Sequence, residues 1–184
     1  MHTRSAATAY PVSWAERIRH ILGDGAGAVL DLGCGTGEYA PLFSAERYVG
    51  LDLSPPFVRY ASARLRGFTF LVGDGERLPF PDDGFHRVLV NGVIHHMDDG
   101  GADRLLGEVS RVVRPSGAVL IIEDVPSSAV NLAGRLMHAI DQGDHIRTSE
   151  AYGELIGRHL SIERTEAYRS GICEYALFEA AAHG

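Results

Sequence analysis

Five short apolar runs recur between residues 28 and 123, and turn residues bound each of them. Their apolar positions are consecutive rather than alternating, which is typical of strands buried on both faces of a parallel sheet. The runs are 28–32, 48–52, 68–72, 87–91 and 118–123. We therefore predict five parallel strands.

Helical patterns precede and separate these runs. Residues 13–22 place their apolar side chains on one stripe, residues 55–65 begin with two prolines, and residues 101–113 repeat apolar positions at helical spacing. The segment "RPSG" is expected to end the third helix and turn into the fifth strand. Alternating strands and helices predict an α/β, Rossmann-like, doubly wound sheet with right-handed crossovers.

The C-terminal part departs from this alternation. Residues 128–140 and 148–160 read as helices, with a polar loop between them. Residues 160–181 read as two strands joined by a turn at Ser170–Gly171, which predicts an antiparallel hairpin at the sheet edge. The predicted sheet therefore has seven strands within a single domain, 1–184.

Composition narrows the classes of partner. The 184 residues carry a net charge of -7 and show no basic patch, so no nucleic-acid partner is expected. No apolar run is long enough for a membrane span, and the N-terminus lacks the apolar core of a signal peptide. With only two cysteines, Cys34 and Cys173, a reduced cytoplasmic protein is expected.

The stretch "VLDLGCGTGEYA", residues 29–40, places Gly33, Gly35 and Gly37 directly after the first strand. A dinucleotide fingerprint has G-x-G-x-x-G, with pyrophosphate at the start of a helix. Here the third fingerprint position is Glu38, whose carboxylate would repel a pyrophosphate at a helix start. The loop therefore predicts a nucleoside ligand without phosphates.

Acids follow the first three strands. Asp52, at the end of the second strand, is placed to accept hydrogen bonds from ribose hydroxyls. Asp31 and Asp74 belong to the first and third strand ends, so three acids are expected to face one crevice, which suits a cationic ligand with a ribose. Alternatively, Asp74 is only a turn acid before Gly75.

Four motifs in register resemble class I S-adenosylmethionine-dependent methyltransferases, most closely the branch of ubiquinone and menaquinone biosynthesis. They are "VLDLGCGTG", "VGLDLS", "GDGERLPFPDDGFHRVLVNGVIHHM" and "EVSRVVRPSGAVLIIE". The resemblance covers residues 28–123 and implies S-adenosyl-L-methionine as cofactor, with S-adenosyl-L-homocysteine as product.

The resemblance also implies which residues hold the methionine end of the cofactor. Asp31 and the backbone of Gly33, Cys34 and Gly35 would bind its amino and carboxylate groups. Asn91, at the end of the fourth strand, would lie near the sulfonium.

For the adenosine end, the resemblance implies that Asp52 binds the ribose hydroxyls and that Leu53 packs on the adenine. Asp74 would contact the adenine amino group, and Gly75 and Glu76 would flank the ring.

Two segments outside the motifs are expected to cover the site. Residues 1–27 form a lead-in or lid, in which Tyr10 resembles the aromatic residue that closes over the cofactor in this family. Residues 125–147 form a cap over the acceptor site. Because this cap is small, the acceptor site is open or is completed by a second subunit, which would make the protein a homodimer.

Methyl transfer to a protonated acceptor requires a base, most often histidine or a carboxylate. The side chains expected above the same strand ends are His95, His96, Glu123, Asp124, His138, Asp141, Asp144 and His145. We favour His145, in the cap, as base or acceptor anchor, and His96 as the next candidate. One histidine of the His95–His96 pair is expected to pack under the following helix.

The spacing of His138, Asp141 and His145 also suits a metal, but Gly143 is expected to break that helix, and no metal is predicted.

These features predict a methyltransferase that acts on an oxygen or nitrogen nucleophile of a small molecule. Two alternatives stay open: an enzyme of this fold that uses the cofactor for a non-methylating reaction such as a cyclisation, and a non-catalytic partner subunit. The intact glycine loop, Asp52 and Asp74 argue against the second alternative.

Overall fold

The computed structural model describes residues 14–23, 27–126, 145–171 and 173–183. The strands are β1 (Val29–Leu32), β2 (Tyr48–Asp52), β3 (Thr69–Val72), β4 (Phe85–Asn91), β5 (Val113–Asp124), β6 (Leu160–Ser170) and β7 (Cys173–Ala182). They form one sheet in the order β3-β2-β1-β4-β5-β7-β6. The first five strands are parallel, and the hairpin β6–β7 joins them antiparallel along β5, which confirms the predicted architecture.

The strand order reverses between β1 and β4. From β1 the chain moves outward to β2 and β3, then returns to β4 on the other side of β1. In an open α/β sheet, such a switch point leaves a crevice at the carboxyl ends of the two strands, where ligands bind. The glycine loop directly follows β1 and therefore lies at this crevice.

Helices cover both faces of the sheet. They are α1 (Trp14–Leu22), α2 (Pro55–Arg64), α3 (Asp99–Val112) and α4 (Ser149–Ile156). Side chains alternate along each strand, so Leu30 and Leu32 pack with α3 and α4, whereas Val29 packs with α1 and α2. This two-sided core confirms the doubly wound arrangement.

The crossover from β1 to β2 differs from expectation. Residues 33–47, all described, contain no α-helix, only 3₁₀ turns at Ala40–Leu42 and Ala45–Arg47. Phe43 and Ser44 are extended after the first turn, which ends it. Glu38 therefore does not lie at the N-terminus of an α-helix. The prediction that its carboxylate would repel a pyrophosphate at a helix start was wrong, because this helix does not exist. The crossover offers no helix dipole to a pyrophosphate in the first place.

The third helix ends just before the segment "RPSG", as predicted, but this segment lies inside a strand and not in a turn. The fifth strand begins at Val113, directly after α3, and residues 114–117 lie inside it. Val113 pairs with Phe85 and Ala118 with Arg87, so the intervening residues bulge while the strand continues.

Several predictions fall outside the described residues: the helix 128–140, and the side chains of Tyr10, His138, Asp141 and Asp144. Among the helices that are described, none is long and apolar enough to cross a membrane. Location in the cytoplasm stays a prediction.

Candidate functional site

A cavity of about 760 Å³ lies at the carboxyl ends of β1, β2 and β4 and beside the loop after β3. Nine residues that the sequence analysis singled out line it: Gly33, Gly35, Asp52, Leu53, Asp74, Gly75, Glu76, His96 and His145. Its volume is in the range of small-molecule sites.

The glycine loop forms a tight turn at the floor of this cavity. The amides of Gly33 and Cys34 both donate to the Leu51 carbonyl, at 2.7 and 3.1 Å. Gly33 has φ +75°, and a Cβ there would lie 2.2 Å from Cγ2 of Val93. Only glycine therefore allows the backbone to follow this path and leaves room for a ligand.

Asp52 is held rigidly at the end of β2. Its Oδ2 accepts from the Gly35 amide and its Oδ1 from the Ser54 amide, both at 2.8 Å. A carboxylate has about four acceptor positions, so Asp52 can accept further hydrogen bonds from a ligand. The same side chain therefore links the glycine loop to β2 and lines the cavity.

One wall of the cavity is apolar and open. Leu53 is 73% exposed and Phe57 is 50% exposed, and both line the cavity. Such surfaces suit a flat aromatic ring of a ligand. Phe57 was not among the predicted site residues, although the sequence carries a signal for it: an aromatic residue directly after the prolines that begin α2.

Asp74 has both of the roles considered for it. Its Oδ1 accepts from the Glu76 amide at 2.9 Å, as a turn acid does, and it also lines the cavity. Glu76 in turn accepts from Arg104 at 2.7 Å, a pair that contributes to the rim.

Asp31 does not line this cavity. It is 2% exposed on the face of the sheet opposite Leu30 and Leu32, and its Oδ2 accepts from the Tyr48 hydroxyl at 2.6 Å. Burial raises the pKa of the Asp31 carboxyl to about 7; the Tyr48 hydrogen bond lowers it and the charge of Asp52 raises it. Of the three acids expected to face one crevice, Asp52 and Asp74 line the cavity and Asp31 does not.

Cys34 and Asn91 also lie off the cavity lining. Cys34 is buried beneath the glycine loop, where burial and the nearby acids raise the pKa of its thiol, so it packs as a neutral side chain. Asn91 is half-buried beside Tyr39.

The two adjacent histidines separate into a buried and an exposed one. His95 is buried, and its Nδ1 lies 2.8 Å from Oε2 of Glu123. His96 is exposed and lines the cavity, with its ring centroid 3.9 Å from that of His95. His95 is therefore the histidine of the pair that packs in the interior, and His96 is the one whose side chain faces the cavity.

Glu123 is fully buried, so it does not present a free carboxylate to the cavity. It accepts from the amides of Val93 at 2.9 Å and Ile94 at 2.7 Å, in addition to its contact with His95. Glu123 was expected among the candidate bases, and its burial corrects that expectation. The Glu123 carboxylate instead fixes the turn that carries His96.

His145 reaches the cavity from a different segment. Its amide donates to the His95 carbonyl at 3.0 Å, and its exposed side chain lines the cavity. Arg147 anchors the same segment by donating to the carbonyls of Ile94 and Met97 and to Asp99. Residues 145–147 are thereby fixed to the turn that carries His96.

Within the described ranges, no group of three or more histidine, cysteine or acidic side chains is placed to hold a metal ion.

Part of the chain matches a family of known proteins. The family described as "Methyltransferase domain" matches residues 29–117. "Probable tRNA methyltransferase 9B" of Mus musculus is 38% identical over 108 residues, which are 57% of this chain and 24% of the mouse protein. Demethylmenaquinone methyltransferase of Thermotoga maritima is 33% identical over 112 residues, which are 59% of this chain and 48% of that protein.

The fold is shared more widely than the sequence. A SAM-dependent methyltransferase structure from Methanosarcina mazei superposes with a TM-score of 0.75 at 18% identity, over 94% of this chain and 99% of that one. The chain spans a quarter to a half of the length of the two curated relatives named above. The matched domain, the relatives and the strand order together support a class I S-adenosylmethionine-dependent methyltransferase.

Proposed function

We propose that the protein transfers a methyl group from S-adenosyl-L-methionine to an oxygen or nitrogen nucleophile of a small molecule. One observation carries the proposal: a single cavity is lined by the glycine loop, by Asp52 and by two histidines, His96 and His145. The proposed nucleoside site and two candidate proton acceptors therefore share one cavity.

The side chains of the cavity fit the adenosine part of this cofactor. Asp52 offers acceptors for ribose hydroxyls, and the exposed faces of Leu53 and Phe57 offer an apolar surface for adenine. Asp74 and Glu76 are acidic partners for the adenine amino group.

For the methionine part, the proposed partners are the glycine loop, Asp31 and Asn91. Gly33 and Gly35 provide close approach to the backbone, and Asp31 lies directly before the loop. Tyr10, in the proposed lid, would close over the cofactor.

S-adenosylmethionine supplies an electrophilic methyl group on a positively charged sulfur. The residues of this chain would align the acceptor with it, exclude water and accept the acceptor's proton. We propose His145 as the base or acceptor anchor and His96 as the second candidate, because both face the cavity.

The proposed cap, residues 125–147, and the lead-in, residues 1–27, would complete the acceptor site, either alone or with a second copy of the chain. By their names, the relatives described above are a probable tRNA methyltransferase and a demethylmenaquinone methyltransferase. The net charge of -7 supports a small acceptor over a polyanionic RNA.

Two measurements test the proposal. Calorimetry with S-adenosylhomocysteine and with NAD should show binding of the first ligand alone. Transfer of tritiated methyl groups should then be measured against phenols, carboxylic acids, amines and bulk tRNA.

Methylation of a member of the small-molecule set supports the proposal, whereas methylation of tRNA alone would overturn the choice of acceptor. Cofactor binding without transfer to any acceptor would favour a non-methylating reaction. Absence of cofactor binding would favour a non-catalytic subunit.

A further inference from the structure

The guanidinium group of Arg147 uses every hydrogen-bond donor that it has. An arginine carries five N–H groups in a rigid planar fork, and each of these donates here. The acceptors are the backbone carbonyls of Ile94 at 3.2 Å, His145 at 2.9 Å and Met97 at 2.7 Å, and Oδ1 of Asp99 at 3.0 and 2.8 Å. This set of contacts leaves the guanidinium little freedom to rotate.

The surroundings of this guanidinium are also firmly held. The Arg147 side chain is 10% exposed, and its Cζ lies 5.8 Å from the ring centroid of Tyr152, a fully buried residue of α4. The residue after Arg147 is Thr148, whose side chain caps α4 by accepting from the Ala151 amide at 3.3 Å. Arg147 therefore joins three elements through one group: α4, the start of α3 and the turn after β4.

The two histidines of the cavity wall are held in different ways. The turn that carries His96 has an anchor of its own, because the buried Glu123 carboxylate accepts from two amides of that turn, at 2.9 and 2.7 Å. His145 belongs to a different segment. Its amide donates to the His95 carbonyl at 3.0 Å, and its own carbonyl accepts from Arg147. Loss of the Arg147 guanidinium would therefore release His145 more than His96.

We propose that Arg147 is a positioning residue for the methyl transfer: its guanidinium fork holds the His145 side chain in the cavity, on the wall that also carries His96. This inference rests on the proposed function. Arg147 does not line the cavity itself, so it acts through His145, which does. A lysine would keep the charge, but its single nitrogen lacks the fork that reaches several carbonyls at once. The shape of the group, and not its charge alone, is therefore what positions His145.

Amide hydrogen exchange in the free protein, followed by NMR, provides the first test. In Arg147→Met the exchange of the His145 amide should speed up about tenfold or more, because the segment opens locally. The Val93 amide, which Glu123 accepts, should keep its protection. Arg147→Lys should show the same change, and it serves as the test variant if the methionine variant fails to fold. Arg158→Met, at an arginine that is 59% exposed after α4, is the control and should exchange like the wild type.

A double-mutant cycle provides the second test, with the acceptor that the tritium assay identifies among phenols, carboxylic acids and amines. Arg147→Lys should lower kcat/KM about tenfold or more, while calorimetry shows nearly unchanged affinity for S-adenosylhomocysteine. In a His145→Ala background the same substitution should have little further effect, because the side chain that Arg147 positions is gone. In a His96→Ala background it should keep its full effect.

The outcomes separate this inference from the proposed function. If the effects of Arg147→Lys and His145→Ala on kcat/KM simply multiply, Arg147 only stabilises the fold, and the inference is overturned while the proposed function stands. The same holds if the His145 amide keeps its protection in both Arg147 variants, or if the effect of Arg147→Lys vanishes only in the His96→Ala background. If the wild-type protein binds no S-adenosylhomocysteine or transfers no methyl group, the proposed function fails and this inference fails with it.

Discussion

Nδ1 of His95 lies 2.8 Å from Oε2 of the fully buried Glu123, and the same carboxylate accepts from the amides of Val93 and Ile94. One side chain at the end of β5 therefore holds the turn after β4 in place. His96 is the next residue of that turn, and His145 binds its backbone through the His95 carbonyl. The wall that carries both proposed catalytic histidines depends on this buried acid.

Glu123→Gln should destabilise the protein by about 2–3 kcal/mol, because an amide nitrogen replaces one acceptor oxygen among several donors. Urea unfolding at pH 7 measures the change. Glu163→Gln, at an exposed position on β6, is the control and should be neutral. Equal stability of the two variants would mean that the buried contacts contribute little.

Gly33→Ala should destabilise the protein by more than about 2 kcal/mol and abolish cofactor binding, since φ is +75° and the new methyl would meet Val93 at 2.2 Å. Gly35 has φ +52° with nothing within 4 Å of an added Cβ, so Gly35→Ala should cost only about 1–2 kcal/mol. Thermal unfolding compares them. The double variant Gly33→Ala/Val93→Ala should recover part of the loss; no recovery would exclude the clash as its cause.

Asp52→Ala should weaken S-adenosylhomocysteine binding by about 2–3 kcal/mol, because ribose hydroxyls lose a charged acceptor. The variant protein should also be less stable than the wild type by about 1–2 kcal/mol, because the amides of Gly35 and Ser54 lose their acceptor too. Calorimetry and urea unfolding give the two numbers. Glu46→Ala, at an exposed residue of the same crossover, should change neither.

Asp31→Asn should stabilise the free protein more at pH 8 than at pH 5. Burial raises the pKa of Asp31 in the folded state to about 7, above the unfolded value near 3.8. The folded state therefore binds the proton more tightly, and the wild type loses stability as pH rises from about 4 to 7. Relative to the wild type, the variant should gain about 2–3 kcal/mol between pH 5 and pH 8.

Urea unfolding at both pH values measures this gain. Asp83→Asn, at an exposed acid, should show no such trend. A constant difference between Asp31→Asn and the wild type across this range would contradict the raised pKa.

His145→Ala should lower turnover with nearly unchanged cofactor affinity if His145 is the base. If it anchors the acceptor, KM should rise more than kcat falls. His96→Ala is the matched comparison from the same cavity wall. Full activity in both variants would point to catalysis by alignment alone.

The sequence by itself determined the parallel strands and several residues at their ends that line the cavity. Consecutive apolar residues identified the parallel strands, and the motif after β1 placed Gly33 at the end of that strand, because both are properties of the local pattern. Asp52 was predicted correctly as a residue that lines the cavity, since a strand-end position is a local property. Its contact with the cofactor remains a prediction.

Only the tertiary structure decided which face each side chain occupies and which polar groups meet. The sequence placed Asp31 with Asp52 and Asp74, but strand alternation turns it to the other face, against Tyr48. The roles of His95 and Glu123 were likewise hidden, because their contact joins residues 28 positions apart. Such pairs depend on burial and register between distant strands, and periodicity along the chain carries no information about them.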